Sequence, residues 1–413
     1  MNRDVLRDLR GPSAAAGGVF WRAGLLMVFD ADAAEQANAD NYADLTLPDR
    51  LRDLLLRRPS TPVSWKRVRA AWLAQLRTLS GAAGLAALDA RMDALLGART
   101  GVLLNLPWLA HEVSFRSLLP IVLDGLSPAD RAMISEDAIA KLARLLGEAE
   151  EEPPWWRSWR PVSIQVRAGL VVRRELRRRA RDPGAARADL TQPIATGLLG
   201  ELGMDRAVDA VTAVLTAIVG PPGAAAGCVL YELVTRPDWA DRLAAEFASV
   251  STAELYRSGT RCAPVAHRFV KEVLRRWTSP TMLTRSVRTP IKVAGHDLDV
   301  GRQFVLSPAM VHQDPRHWRD PEVFDPDRWL PGAPHGPAGG RHYVPFGWAP
   351  TACVGAGLGL CQLVLLCRLL CTTYRIELPE AATPSVEIGP VPRPLGFDGR
   401  VTTRDRRTAT PDD

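Results

Sequence analysis

The chain has 413 residues, 46% hydrophobic and 24% charged, with 52 Lys+Arg against 46 Asp+Glu and a net charge of +6. That composition excludes disorder over most of the length and supports a buried core. The positive charge is modest and scattered. A run such as Arg173-Arg174-Glu175-Leu176-Arg177-Arg178-Arg179 reads as the solvated face of a helix, without the aromatic interleaving or reader motif of a nucleic-acid binder. The charged start (residues 1–10) and the short apolar stretch 23–29 are too polar and too short to cross a bilayer. No nucleic acid and no membrane are expected as partners, and a cytoplasmic location is expected.

In chain order, residues 19–30 pattern as a hairpin and 32–41 as a helix with Asp30 as its N-cap. Helical periods then occupy 64–79, 103–124 and 128–146, and 148–152 with Pro153-Pro154 forms a loop. A long basic amphipathic helix is expected at 162–181, and the helical pattern continues over 189–202 and 207–235. The character changes over 286–304, where short β-like runs (Ile291-Lys292-Val293, Gln303-Phe304-Val305-Leu306) are punctuated by Gly295 and Gly301. Residues 321–341 are Pro/Gly-rich, 355–373 form a final apolar helix, and 401–413 pattern as a disordered tail. No repeat or linker divides the chain. The expected fold class is mainly α with a small β-region, in one domain over 1–400.

The six cysteines lack any CxxC or Cys/His zinc spacing, and a disulfide framework is not expected. Cys228, Cys262, Cys361, Cys367 and Cys371 read as core. Cys353 differs, because it follows a Gly/Pro turn and precedes a helix, where backbone N–H groups and the helix dipole favour a thiolate.

Four elements then line up. Phe346-Gly347-Trp348-Ala349-Pro350-Thr351-Ala352-Cys353-Val354-Gly355 leads into the last helix. Glu272 and Arg275 form an i, i+3 acid–base pair, 321–330 carries Arg328, and Trp65 and Arg69 sit four apart on a helix. Each element has an ordinary reading. The ion pair can be a surface pair, the cysteine a small buried hydrophobe, and the tryptophan a core anchor beside a solvated arginine.

Together, in this order, they resemble the cytochrome P450 superfamily of haem-thiolate enzymes, over roughly residues 19–395. The resemblance implies a single-domain P450-like haem fold and haem b (iron protoporphyrin IX), with Cys353 as the iron's axial ligand and the catalytic centre. It implies that Phe346 packs beside the ligand. Trp65, Arg69 and Arg285 fall where the family holds the haem propionates, and Glu272, Arg275 and Arg328 form a structural lock.

The ligand loop departs from the family pattern, with Ala349 where glycine is usual and Thr351 where His or Arg is usual. A positive φ at Ala349 would be strained, and Thr351 cannot pair with a propionate as a cation would. The larger departure lies in the long helix. Counting back from Arg236-Pro237, the oxygen-activating acid and alcohol fall on Gly220 and Pro221, and no Asp or Glu lies within ten residues of Gly220. Protons must then come from elsewhere, such as a substrate hydroxyl or amine. Alternatively hydrogen peroxide replaces dioxygen, or the chemistry inserts no oxygen, as in coupling or rearrangement. A purely structural reading also stands, in which Pro221-Pro222 widens a kink for a bulky substrate.

By position, Trp155, Ala217, Ala224, Met282, Leu283 and Pro394 face the substrate, although core packing accounts for Met282 and Leu283 nearly as well. Lys66, Arg67 and Arg77 form either a docking patch for an acidic ferredoxin or flavodoxin or an ordinary charged helix face. The expected function is a haem-thiolate oxidoreductase, monooxygenase-like, that hydroxylates or couples a small-molecule intermediate of specialised metabolism. The alternatives are a peroxide-driven peroxygenase and a non-catalytic haem-binding or recruitment module.

Overall fold

The structure is a computed structural model and describes residues 4–40, 65–147, 159–287, 290–333 and 340–404. Helix α1 (Arg7–Ala15) precedes a hairpin of β1 (Val19–Arg22) and β2 (Leu25–Val28), and α2 (Ala31–Asp40) follows. Asp30 caps α2 by accepting the Ala33 N–H at 3.0 Å. Next come α3 (Trp65–Leu79), α4 (Ala82–Gly97), β3 (Leu103–Asn105), α5 (Leu106–Val122), α6 (Pro128–Leu145) and α7 (Trp159–Arg181). Asn105 and Ser127 cap α5 and α6, each accepting a backbone N–H at 3.1 Å. Then follow α8 (Leu199–Ala217), α9 (Pro221–Thr235), α10 (Pro237–Ser249), α11 (Thr252–Arg257) and α12 (Pro264–Arg276). Proline opens α9, α10 and α12, where its fixed φ suits the first turn and its missing N–H costs nothing.

The β-region holds β4 (Leu283–Ser286), β5 (Ile291–Val293), β6 (His296–Leu298) and β7 (Gln303–Leu306), and short α13 (Pro308–His312) follows. The chain then runs through α14 (Ala356–Arg368), β8 (Tyr374–Glu377), β9 (Ser385–Ile388), β10 (Pro392–Leu395) and β11 (Asp398–Thr403). One sheet is ordered β1-β2-β7-β4, with β2 parallel to β7, and a second is ordered β3-β11-β8. Helices α4, α5, α9 and α14 pack on one another at the centre of the main core.

Four expectations need correction. The helical pattern over 207–235 is two helices, because Pro221 and Pro222 supply no N–H to the turn before them and α8 stops at Ala217. Residues 401–403, expected in the tail, are strand. Val401 is fully buried and pairs with Ile376, so β11 runs to Thr403. The segment 103–124 starts with a strand rather than a helix, since Leu103 and Asn105 pair with β11. The basic run of α7 is not wholly solvated. Arg179 is 2% exposed and grips Asp189 at 2.6 and 2.8 Å and Glu175 at 2.8 Å.

Among the described residues, two runs, Ile194–Thr235 (which includes the break) and Ala356–Thr373, are long and apolar enough to cross a membrane by length and composition. Both are largely buried inside the fold.

The segment before α14 is tied to the helical body by one buried carboxylate. Glu272 on α12 takes Arg275 in a bidentate pair at 2.8 and 2.9 Å and accepts Arg328 Nε at 3.0 Å. The three side chains are at most 1% exposed. The remaining guanidinium hydrogens go to carbonyls of Arg319, Pro321, Val323 and His312, so the second cation is satisfied by dipoles. Removing the carboxylate charge leaves two buried cations without a counter-charge. Glu272→Gln is therefore expected to lower the unfolding free energy by about 3–5 kcal/mol, read from urea denaturation. A loss below about 1 kcal/mol would mean that the cluster behaves as a surface pair.

Candidate functional site

The ten residues from Phe346 to Gly355 form a closed loop ahead of α14. The Cys353 N–H donates to the Phe346 carbonyl at 2.8 Å, which folds the loop back on itself. Gly347 has φ +76, a conformation that a side chain would strain, and so this position needs its glycine. Ala349 is not among the positive-φ residues, and it precedes a cis peptide to Pro350. Gly355 is the N-cap of α14, and the ring of Phe346 lies 3.9 Å from where a Cβ on Gly359 would stand. Solvent reaches Cys353, whereas Cys228, Cys361, Cys367 and Cys371 are buried and Cys262 is half-buried. Protein atoms crowding the Cys353 thiol raise its pKa; the Gly355 N–H and the charge of Arg69 pull it back.

Thr351 gains a role that its residue type did not announce. Its hydroxyl donates to Asn38 Oδ1, and the Asn38 amide donates to the Trp348 and Ala349 carbonyls at 3.0 and 2.8 Å. Asn38 is 1% exposed on α2, so one buried amide braces the loop at three points. A second brace comes from His312 on α13. Its Nε2 accepts the Val344 N–H at 2.8 Å, which leaves the ring proton on Nδ1, 2.7 Å from the Thr278 hydroxyl oxygen. Burial lowers the His312 pKa to about 3, so the ring is neutral and the tautomer is set. Sequence reading passed over both residues, since an asparagine or histidine in a short helix carries no mark of burial.

Arg69 stands on α3 close enough for its charge to act on the Cys353 thiol. Arg285 stands on β4, opposite Phe304 of β7. Burial alone pulls its pKa down, and among the described residues no carboxylate pairs with it. A desolvated guanidinium without an anion is a place for one to bind. Trp65 opens α3, but its side chain lies outside the described residues, as does all of Trp155. Met282 is half-buried against the main core, while Leu283 packs on the second core cluster with Phe304 and Leu306.

At the break between α8 and α9, Gly220 is the N-cap residue and Pro221 the first residue of the new helix. A Cβ on Gly220 would stand 2.2 Å from Leu145 Cδ2. Leu145 occupies the space that an acid side chain would need. Ala217 is exposed at the end of α8, and Ala224 is buried in α9. The acid Glu232 is committed elsewhere, accepting Trp277 Nε1 and Arg236 Nε at 2.6 Å each. Pro394 lies 3.7 Å from the position of a Cβ on Gly227, beside Ala110. It covers the middle of α9 rather than the break.

The loop brace can be tested directly. Asn38→Ala is expected to destabilise the protein by about 1–3 kcal/mol, because two buried carbonyls lose their donor, and to speed hydrogen exchange at the Cys353 amide. Thr351→Val is expected to cost less, about 1 kcal/mol. Equal effects, or none on exchange at Cys353, would count against the brace.

The cytochrome P450 family model matches residues 200–394. The chain is 31% identical over 179 residues to a probable cytochrome P450 6t3 of Drosophila melanogaster, covering 40% of this chain and 34% of that one. It is 31% identical over 162 residues to thromboxane-A synthase of Mus musculus, covering 38% and 30%. The chain thus spans about a third of the length of these curated relatives. The fold is similar throughout to the haem domain of cytochrome P450DA, with a TM-score of 0.74 at 19% identity, covering 98% of this chain and 94% of that one. A zebra fish cytochrome P450 with progesterone gives 0.74 at 16% identity, covering 97% and 100%. Residues 200–394 thus match the cytochrome P450 family model, and the chain as a whole has the fold of cytochrome P450 haem domains.

Proposed function

We propose that the chain binds haem b through Cys353 and oxidises a small-molecule intermediate of specialised metabolism by hydroxylation, oxidative coupling or related chemistry. The observation that carries this reading is the donor set. A solvent-reachable cysteine heads α14 within the field of Arg69, and a second, desolvated cation, Arg285, has no carboxylate partner among the described residues. One thiol and two cations suit an iron porphyrin with two propionates. When bound, that group supplies the redox and oxygen chemistry. The protein's part is to hold and orient it. Arg69, Arg285 and Trp65 would take the propionates, Phe346 would pack beside the sulfur, and the Asn38 and His312 braces would keep the loop in register.

Proton supply is the unusual part of the proposal. Gly220 and Pro221 present no proton-carrying side chain, and Leu145 fills the space beside Gly220. A substrate hydroxyl or amine, or hydrogen peroxide as oxidant, would meet the need. The same absence favours a second reading, a haem-binding module without turnover. For electron delivery we propose an acidic ferredoxin or flavodoxin in the cytoplasm, meeting exposed Lys66 and Arg77 on α3. Arg67 contributes less charge there, since it is paired with Glu201.

Two experiments test the reading. Cys353→Ala is expected to abolish the thiolate-type haem spectrum, and an unchanged spectrum would remove Cys353 as ligand. Pro221→Thr is expected to change the hydrogen peroxide released per NAD(P)H oxidised by at least severalfold, with ferredoxin and its reductase as electron source. Equal ratios in both forms would contradict a proton-supply deficit at the break.

A further inference from the structure

A cavity of about 800 Å³ opens between α5 and α6, within the size range of small-molecule sites. Its wall is mostly carbon, from Trp108, Phe115, Ala138, Leu142 and Val219. Cys353, Arg69, Arg285, Met282 and Leu283 are all absent from its lining, so it is separate from the site described above.

One buried polar group looks into it. His111 on α5 is 4% exposed and lines the cavity. Its Nδ1 lies 3.3 Å from the Val219 carbonyl oxygen, and a carbonyl only accepts, so Nδ1 carries the proton. Burial lowers the imidazole pKa to about 4, which keeps the ring neutral at pH 7. Nε2 is then a lone-pair acceptor, with no protein partner among the described residues. At the mouth, Glu112 holds Arg99 at 2.8 Å and Arg116 at 2.7 Å, and exposed Arg131 also lines the cavity, so the rim is polar and positive while the wall inside is apolar. A mostly apolar wall with one deeply buried acceptor, His111 Nε2, suits a neutral ligand that brings one donor.

We propose that this cavity is a second small-molecule site, taking a neutral, largely hydrocarbon molecule that donates one hydroxyl or N–H to His111 Nε2. The site adjoins the helix break, since the Val219 carbonyl held by His111 immediately precedes Gly220.

The probe is 2-naphthol, measured by equilibrium dialysis in the presence of imidazole at a concentration that saturates a haem iron. One equivalent is expected to bind and to resist displacement by imidazole. 2-Methoxynaphthalene, which lacks the donor, is expected to bind at least tenfold more weakly. Ser135→Trp adds bulk at the α6 wall and gives up only a local hydroxyl bond to the Arg131 carbonyl. It is expected to weaken 2-naphthol at least tenfold with an unchanged circular dichroism spectrum. Ile139→Trp, at a position 58% exposed, serves the same purpose if the first variant does not fold. Displacement by imidazole, equal binding of the two naphthalenes, or indifference to a folded bulky variant would each overturn the proposal. Because none of these readings requires haem to be bound, a failure here is distinct from a failure of the proposed function.

Discussion

Glu272 puts one negative charge between two guanidiniums in a part of the protein that water does not reach, and the architecture around the cysteine loop depends on it. Arg275 spends its other hydrogens on His312, Pro321 and Val323 carbonyls, and Arg328 on those of Arg319 and Val323. Helix α12 is thereby fastened to a segment of 321–330 that has almost no regular structure of its own. The indole of Trp329 donates to the same carboxylate at 3.1 Å, and Lys271 lies over that indole at 3.9 Å. Tyr343, packed against Trp329, donates to the Lys271 carbonyl and leads directly into Val344 and the loop. The position of Cys353 is therefore transmitted from a buried charge cluster through a chain of packed aromatic rings. Ion pairs of this kind do not need to add net stability to be required.

The central helices obey a different constraint, close approach. Helix α9 begins Pro-Pro-Gly-Ala-Ala-Ala-Gly, and its small residues let α5 and β10 come near enough that a Cβ on Gly223 would collide with His111 at 2.1 Å. The same segment carries no acid or alcohol side chain at Gly220 or Pro221, and Pro221 is a helix start. Packing and chemistry thus compete for the same residues here, and packing has taken Gly220 and Gly223. That trade leaves Gly220 and Pro221 themselves without a proton-carrying side chain.

Much of this was legible in the sequence, for identifiable reasons. Glu272, Arg275 and Cys353 were visible because their spacing is local and their helices strongly patterned. The mainly helical fold with a small β-region followed from apolar periodicity. The division at Pro221 was misjudged because the apolar pattern runs through it unbroken, and periodicity does not register a missing N–H. Val401 was assigned to the tail because its strand is short and its partner, Ile376, lies far back in the chain. Asn38, His111 and His312 escaped notice for one shared reason. Their importance lies in what surrounds them, and a polar residue gives no local signal that it will be buried. Thr351 brings no cation to the loop, and its hydroxyl is tied to Asn38, a partnership that its residue type does not announce.

Everything proposed for this site requires the braced loop to deliver a cysteine thiolate to a haem iron. The most direct test is the Soret band of the purified, reduced protein under carbon monoxide. The long-wavelength band of a thiolate-ligated complex is the expected result. A short-wavelength band, or a protein that takes up no haem, would contradict it and leave the fold as a scaffold without this chemistry.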